Sequence, residues 1–277
     1  MQLFVKWAGG KRQLLPEIKN HLPQQFNNYY EPFIGGGAVL FELNLENSII
    51  SDNNRVLIDT YIALRDHLTD LIPLLNELQD EHNSFNDIEK AKEYYYAKRE
   101  RFNELILEEE ASLERSALFM YLNKACFNGL YRVNANGLFN VPSNQKKKIN
   151  IFEKTNLEQI SDFLKTVQIY HQDFETTVQN ATEGDLVFFD SPYAPLNPTS
   201  FDSYTKEGFS TDEHIRLSNL FKRLTEQGVY CILTNHNTDF IRDLYSDFNI
   251  FEIDVKRMIN SDAKNRTGKE LIVTNFD

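Results

Sequence analysis

The sequence predicts an α/β fold: a mostly parallel sheet carrying a large, mainly helical insertion. Three observations predict it. Five short apolar runs each lead into a polar residue, a glycine-rich turn stands between a strand-like and a helix-like stretch, and a long middle segment has neither Gly nor Pro.

The apolar runs set the sheet. Asn28-Tyr-Tyr leads to Glu31, Ser48-Ile-Ile to Asp52, Val167-Gln-Ile-Tyr to Asp173, Leu186-Val-Phe-Phe to Asp190, and Val229-Tyr-Cys-Ile-Leu to Asn235. Continuous apolar runs of this length fit strands covered on both faces, as in a parallel sheet. Helical patterns fall between several of them; Asp212 to Gln227 is one, with Gly228 as its stop. Ligands of doubly wound sheets bind beyond the carboxyl ends of the strands, so the five polar residues mark a candidate site. From Asn76 to Asn128, Ile88, Ala91, Tyr95, Phe102 and Ile106 recur at helical spacing, and Tyr61 to about Asn123 reads as largely helical. Phe127 to Pro142, rich in Gly and Asn, reads as a loop or hairpin. Phe248–Val255 and Leu271–Phe276 read as strands flanking a basic loop from Lys256-Arg257 to Lys269.

Composition excludes several classes. The chain has 277 residues and a net charge of −12, enough for one α/β domain with an insertion or two modest domains. No apolar run approaches the roughly 18–20 residues needed to span a bilayer, so no membrane partner is expected. The opening Met1-Gln-Leu-Phe-Val-Lys-Trp7 lacks the basic start and long apolar stretch of a signal peptide, and a cytoplasmic protein is expected. Cys126 and Cys231 stand in unrelated contexts, which suggests free thiols and no metal cage. An acidic chain is an unusual nucleic-acid binder, but DNA responds to the local field. Here the charge is uneven. Carboxylates crowd Glu104 to Glu114, whereas Ser116 to Phe152 contains none and carries Lys124, Arg132 and Lys146-Lys147-Lys148.

Glu31-Pro-Phe-Ile-Gly-Gly-Gly-Ala38 follows one strand and precedes a helical stretch. Glycines let backbone approach a ligand at a helix N-terminus, and Asp52, ending the next strand, suits ribose hydroxyls. This pattern alone leaves NAD and S-adenosylmethionine both open. Asp190-Ser191-Pro192-Tyr193 favours the second. The amine of adenine is a poor nucleophile because its lone pair is delocalised into the ring. A carboxylate and a backbone carbonyl accepting from the amine hydrogens steer the nitrogen toward tetrahedral geometry; Asp190 and the carbonyl of Ser191 supply those acceptors. Pro192 stiffens the turn, and Tyr193 offers a face for a base. A base in duplex DNA must leave the stack to reach such a pocket.

With these residues in hand, the chain resembles the Dam-type DNA adenine methylases, the group that often methylates GATC. The anchors run nearly end to end: Lys6-Trp7-Ala-Gly-Gly-Lys11-Arg12, Glu31-Pro-Phe-Ile-Gly-Gly-Gly37, Ser51-Asp52-Asn53, Asn128-Gly-Leu-Tyr-Arg-Val-Asn134, Phe139-Asn-Val-Pro142, Asp173-Phe174 and Asp190-Ser-Pro-Tyr193. The resemblance implies a Rossmann-like S-adenosylmethionine-dependent methyltransferase sheet, residues 1–60 and 165–277, with a helical target-recognition insertion, residues 61–164. It implies S-adenosylmethionine as methyl donor and no metal. Trp7, Lys11, Phe33, Gly35, Asp52, Asp173 and Phe174 would contact the donor, Asp173 accepting from its adenine amine. Asp190, Ser191, Pro192 and Tyr193 would form the catalytic loop. Phe127 would enter double-stranded DNA beside the flipped base. Asn128, Leu130 and Arg132 would read or support neighbouring bases, Lys6 would reach a guanine, and Asn140 and Pro142 would join the DNA face. A restriction-modification or epigenetic role follows, with a cognate restriction endonuclease as a partner that activity does not require.

Two departures stand out. The family's loop usually reads Asp-Pro-Pro-Tyr, and Ser191 replaces the first proline; because only its carbonyl is needed, activity is expected to persist. The family commonly continues Val-Pro with Phe-Gly-Arg-Tyr, whereas Val141-Pro142 is followed by Ser143-Asn-Gln-Lys146. This weakens the inference to GATC more than that to adenine. A nicotinamide-linked oxidoreductase, a DNA binder without catalysis, and a methyltransferase for RNA or for cytosine N4 are the competing readings.

Overall fold

A computed structural model describes residues 1–7, 9, 11–109, 111–196, 209–256 and 267–277. Its strands are β1 (Tyr29–Glu31), β2 (Ile49–Asp52), β3 (Gln168–His171), β4 (Leu186–Phe189), β5 (Tyr230–His236), β6 (Asn249–Lys256) and β7 (Thr267–Thr274). They form a mixed seven-stranded sheet in the order β3-β2-β1-β4-β5-β7-β6. The chain clusters into two compact units, the first of Met1–Gly10, Gly35–Glu46 and Asp52–His171, the second of Lys11–Ile34, Asn47–Ser51 and Gln172–Asp277.

The second unit carries most of the sheet. β4 is parallel to β1 and β5, whereas β7 is antiparallel to β5 and β6. All four residues of β4, Leu-Val-Phe-Phe, are buried, which is what an apolar run in a central parallel strand requires. Helices α1 (Leu15–Asn20), α8 (Phe174–Thr177), α9 (Thr211–Glu226) and α10 (Asp239–Leu244) belong to this unit. α9 starts where Ser210 Oγ accepts from the Glu213 amide, with Asp212 and Glu213 in the first turn favouring its positive end. Its Leu217, Leu220, Phe221 and Leu224 pack with Val187, Phe189, Cys231, Leu233 and Val273 into one core.

The first unit is mainly helical. α3 (Arg55–Asp66), α4 (Leu68–Ser84), α5 (Ile88–Leu107) and α6 (Leu113–Ala125) cover the segment read as helical; α2 (Ala38–Leu43) and α7 (Lys154–Leu164) complete it. The run from Arg115 to Asn123 in α6 is buried throughout, so α6 is the axis of this unit. Arg115 within it pairs with Asp59 of α3. α5 buries Ala91, Tyr95 and Phe102, as its spacing predicts, but Ile88 stays exposed at its first turn and Leu105 takes the inward position beside Ile106. Phe127–Pro142 is hairpin-like, with a Val133–Phe139 bridge.

Three expectations need correction. β3 is not covered on both faces: Gln168, Tyr170 and His171 are exposed and only Ile169 is buried, because β3 stands at the sheet edge. Asn235 does not end its strand, since β5 runs on to His236. The basic loop is shorter than read, as Thr267–Lys269 belong to β7; positions 257–266 lie outside the described residues. Both cysteines are buried and unbridged, and burial pushes the Cys126 thiol up to about 11. Among the described residues no helix is long and apolar enough to cross a membrane.

Candidate active site

In the second unit the buried β4 delivers Asp190 to the sheet edge, where two donors meet one of its oxygens. Lys11 Nζ lies 2.6 Å from Oδ1, and the Thr234 hydroxyl of β5 donates to the same atom at 3.0 Å. The Lys11 side chain is 4% exposed and that of Asp190 21%. Among the described residues nothing donates to Oδ2 of Asp190 or to the carbonyl of Ser191. Two acceptors are thus left for an incoming donor group. Burial pushes the Asp190 carboxyl up, opposed first by the charge of Lys11 and then by the hydrogen bonds from Lys11 and Thr234.

The rest of the loop is fixed from behind. Asn235 Oδ1 accepts from the Ala194 amide at 2.9 Å, and its Nδ2 faces Ser191 Oγ at 3.5 Å. His236 Nδ1 meets the Ala194 carbonyl at 2.7 Å. Tyr193 donates to Glu270 of β7 at 3.2 Å, carries Lys11 Nζ 4.5 Å over its ring and meets His236 edge-on. So Ser191 is buried, its hydroxyl turned inward to Asn235 and its carbonyl without a donor among the described residues. On β1, Tyr29 donates to the buried Glu31 at 2.8 Å.

Phe33, Asp173 and Phe174 belong to the same unit. The two phenyl rings stack with centroids 5.2 Å apart. Asp173 caps α8, its Oδ1 accepting from the Glu175 amide and pairing with Arg216 of α9. Its Oδ2 has no donor among the described residues. The Arg216 guanidinium also lies 4.1 Å over the Phe174 ring.

Trp7, Gly35 and Asp52 belong to the first unit. Gly35 has φ +48°, and a Cβ there would stand 2.8 Å from Cδ1 of Trp7, so glycine is required on two counts. Asp52 Oδ2 accepts from the Gly35 amide at 3.0 Å and Oδ1 from the Asn54 amide at 2.9 Å. A carboxylate bracing the turn in this way keeps further lone pairs for a ligand. Trp7 stacks on Tyr131 at 5.3 Å.

The residues expected to face DNA are gathered in the first unit around one hairpin. Phe127, 52% exposed, donates its amide to the Pro142 carbonyl at 2.8 Å. Asn128 next to it has φ +57°. Arg132 Nε donates to Asn140 Oδ1 at 2.8 Å, which holds the guanidinium at the exposed rim. Lys6 packs its stem where any Cβ on Gly129 would stand. Leu130 is half-buried. Asn123, buried in α6, exchanges hydrogen bonds with the Lys6 backbone and donates to the Gly129 carbonyl at 3.2 Å.

Sequence reasoning gave no role to Asn123, Thr234, His236, Glu270 or Arg216. Asn235 stood out only as the polar end of an apolar run. The signal for Thr234 was present: two polar residues continuing an apolar strand, aligned with the end of β4, deserve scrutiny wherever β4 ends in a carboxylate.

Comparison with known proteins fits this geometry. The family model for the D12 class N6 adenine-specific DNA methyltransferases matches residues 7–259. The chain is 42% identical to the type II methyltransferase M1.LlaDCHI of Lactococcus lactis subsp. cremoris, over 99% of this chain and 95% of that one. It is also 42% identical to the type II methyltransferase M.MjaIII of Methanocaldococcus jannaschii, over 99% and 98%. The DNA adenine methylase of Escherichia coli K12 is 31% identical over 95% of this chain and 91% of its own length. The chain belongs to the D12 class of N6 adenine-specific DNA methyltransferases.

Proposed function

We propose that the protein methylates the exocyclic N6 of a flipped adenine at a specific site in duplex DNA, using S-adenosylmethionine. One observation carries the reading: Oδ1 of Asp190 is saturated by Lys11 and Thr234, while Oδ2 and the Ser191 carbonyl accept nothing from the described residues. These are the two acceptors an adenine amine needs. With both amine hydrogens engaged, the nitrogen lone pair leaves conjugation with the ring and becomes nucleophilic. A carboxyl pushed up by burial is also a better proton acceptor than a surface aspartate, so Oδ2 can receive the proton the nitrogen sheds.

Bound S-adenosylmethionine supplies an electrophilic methyl group. The residues suit its parts: Asp173 Oδ2 is an acceptor beside stacked Phe33 and Phe174, as an aminopurine asks, and Asp52 with Gly35 suits ribose hydroxyls. Lys6, Phe127, Asn128, Leu130, Arg132, Asn140 and Pro142 are the DNA-facing residues in this reading, and segment 61–164 is the target-recognition part. Arg132 supplies a fork that matches guanine, a contact worth about 1–3 kcal/mol of discrimination. GATC or a related site is the first target to test. The type II names of two relatives support a restriction-modification role; a partner nuclease and action in the cytoplasm belong to the same reading.

The purified protein is incubated with methyl-labelled donor and duplex DNA, the product is digested to nucleosides, and methylated positions are mapped. N6-methyladenine at one recurring sequence is expected, lost in Asp190→Ala. Label on cytosine or on RNA alone, or none, overturns the reading.

A further inference from the structure

We infer that Thr234 is a positioning residue for methyl transfer: by holding Oδ1 of Asp190 it turns the carboxylate so that Oδ2 faces the target amine. The inference rests on the function proposed above and adds a residue that acts through the catalytic carboxylate. Thr234 is fully buried on β5, where its neighbour Leu233 registers with Phe189, the residue before Asp190. A carboxylate with one donor still turns about its last bond. Lys11 reaches Oδ1 as a compact ammonium on a flexible stem, which sets charge but little direction. The Thr234 hydroxyl, on a β-branched side chain with restricted χ1, gives the second, fixed direction. Two donors on one oxygen leave the other to the substrate.

The neighbouring residues give the same division of labour. Asn235 and His236 grip the peptide groups of Ala194, and the Tyr193 hydroxyl is met by Glu270 as well as by Thr234, so the loop keeps supports of its own when the Thr234 hydroxyl is removed. Removing the Thr234 hydroxyl therefore frees the carboxylate and leaves the loop in place. This separates Thr234 from a residue that merely supports the fold.

A pH signature follows. Among the described residues, the charged and titratable groups around Asp190 are Lys11 before α1, Tyr29 with Glu31 on β1, and Tyr193 of the same loop with its neighbours Glu270 of β7 and His236 of β5. Thr234 is not itself charged, and its hydrogen bond favours the ionised carboxylate. Its loss moves Asp190 further upward, and since the ionised form accepts the amine, the acid limb of the rate profile moves to higher pH.

Thr234→Val, Thr234→Ser and Asp190→Ala are compared with the parent in steady-state methyl transfer across a pH series. A hydrogen bond to a charged group, converted to rate, predicts that Thr234→Val lowers kcat about 10- to 100-fold. The KM values for donor and DNA stay near the parent's, the acid limb moves up, and Thr234→Ser restores both. If Thr234→Val does not fold, Thr234→Ser against Thr234→Ala carries the same comparison. Parent-like kcat in the valine variant, an unmoved acid limb, or equal losses in the serine and valine variants overturn the inference. Failure of the functional reading looks different: the parent itself transfers no methyl to adenine, or Asp190→Ala is as active as the parent.

Discussion

Replacing Lys11 by methionine keeps an unbranched apolar stem and deletes the charge that stands 2.6 Å from Oδ1 of Asp190. Burial already pushes that carboxyl up, and the charge of Lys11 is the largest influence opposing it. Without the ammonium, the protonated form gains at neutral pH, and a protonated carboxyl is a poorer acceptor for the amine hydrogens. Breaking a buried ion pair costs about 3–5 kcal/mol. The Asp190 side chain keeps 21% exposure, so water screens part of this and the low end applies. Taken as the most by which the ionised carboxylate is disfavoured, about 3 kcal/mol sets a ceiling of about 150-fold on the rate loss. The assay is the initial rate of label transfer from neutral to alkaline pH at saturating donor. Lys11→Met is expected to lose up to that factor at neutral pH and to recover as the pH rises and the carboxyl ionises. The KM for the donor stays near the parent's, in place of the donor contact the resemblance implies for Lys11, because the ammonium pairs with Asp190. A loss uniform across pH, or one confined to the donor KM, refutes the reasoning; the latter places the Lys11 charge on the donor instead of on Asp190.

Three further outcomes are expected. Asp52→Ala removes the acceptor of the Gly35 and Asn54 amides. Calorimetry should show donor affinity weakened about tenfold or more, with DNA affinity unchanged, as expected for hydrogen bonds to a charged group. Phe127→Ala removes an exposed ring, so thermal stability holds. Fluorescence of 2-aminopurine at the target position falls and methyl transfer drops about tenfold or more, in line with a base–aromatic stack of about 1–3 kcal/mol. His214, 2% exposed and with no partner for Nε2 among the described residues, is held by burial at about 4 against its ordinary 6.5. The unfolded chain takes up this proton first, so the stability contributed is complete above pH 6.5 and declines as pH falls toward about 4. The decline is worth roughly 3 kcal/mol, and urea melts of His214→Phe across that range should lack it.

The sequence made the sheet and the Asp190–Tyr193 loop legible because both are local. An apolar run such as Leu186–Phe189 can only be a covered strand, and a carboxylate at its end has nowhere to go but the sheet edge. The helical middle was legible from period alone, though Ile88 faces solvent because the first turn of α5 stands outside the packing of its later turns. β3 misled because Val167 and Ile169 gave an apolar run whose other face no element among the described residues covers. What was not legible depends on register between distant strands. Thr234 meets Asp190 only because β4 and β5 pair Phe189 with Leu233, and Glu270 reaches Tyr193 only because β7 aligns Glu270 with His236. Asn123 belongs to this class too, binding Lys6 across more than a hundred residues of chain. Ser191 illustrates the opposite case. The residue departs from the family's proline, yet its buried hydroxyl faces Asn235, so the loop has a substitute for the lost ring.

The central claim is that the Asp190 carboxylate acts on the amine during transfer and not in binding either partner. Single-turnover transfer by Asp190→Asn, with donor and duplex affinities measured on the same preparation, tests it most directly. Both affinities are expected to stay near the parent's while the transfer step falls about 10²- to 10⁴-fold, the range of positioned acid–base groups. An asparagine variant that transfers methyl at the parent's rate, or one that loses rate only through weaker binding, contradicts it.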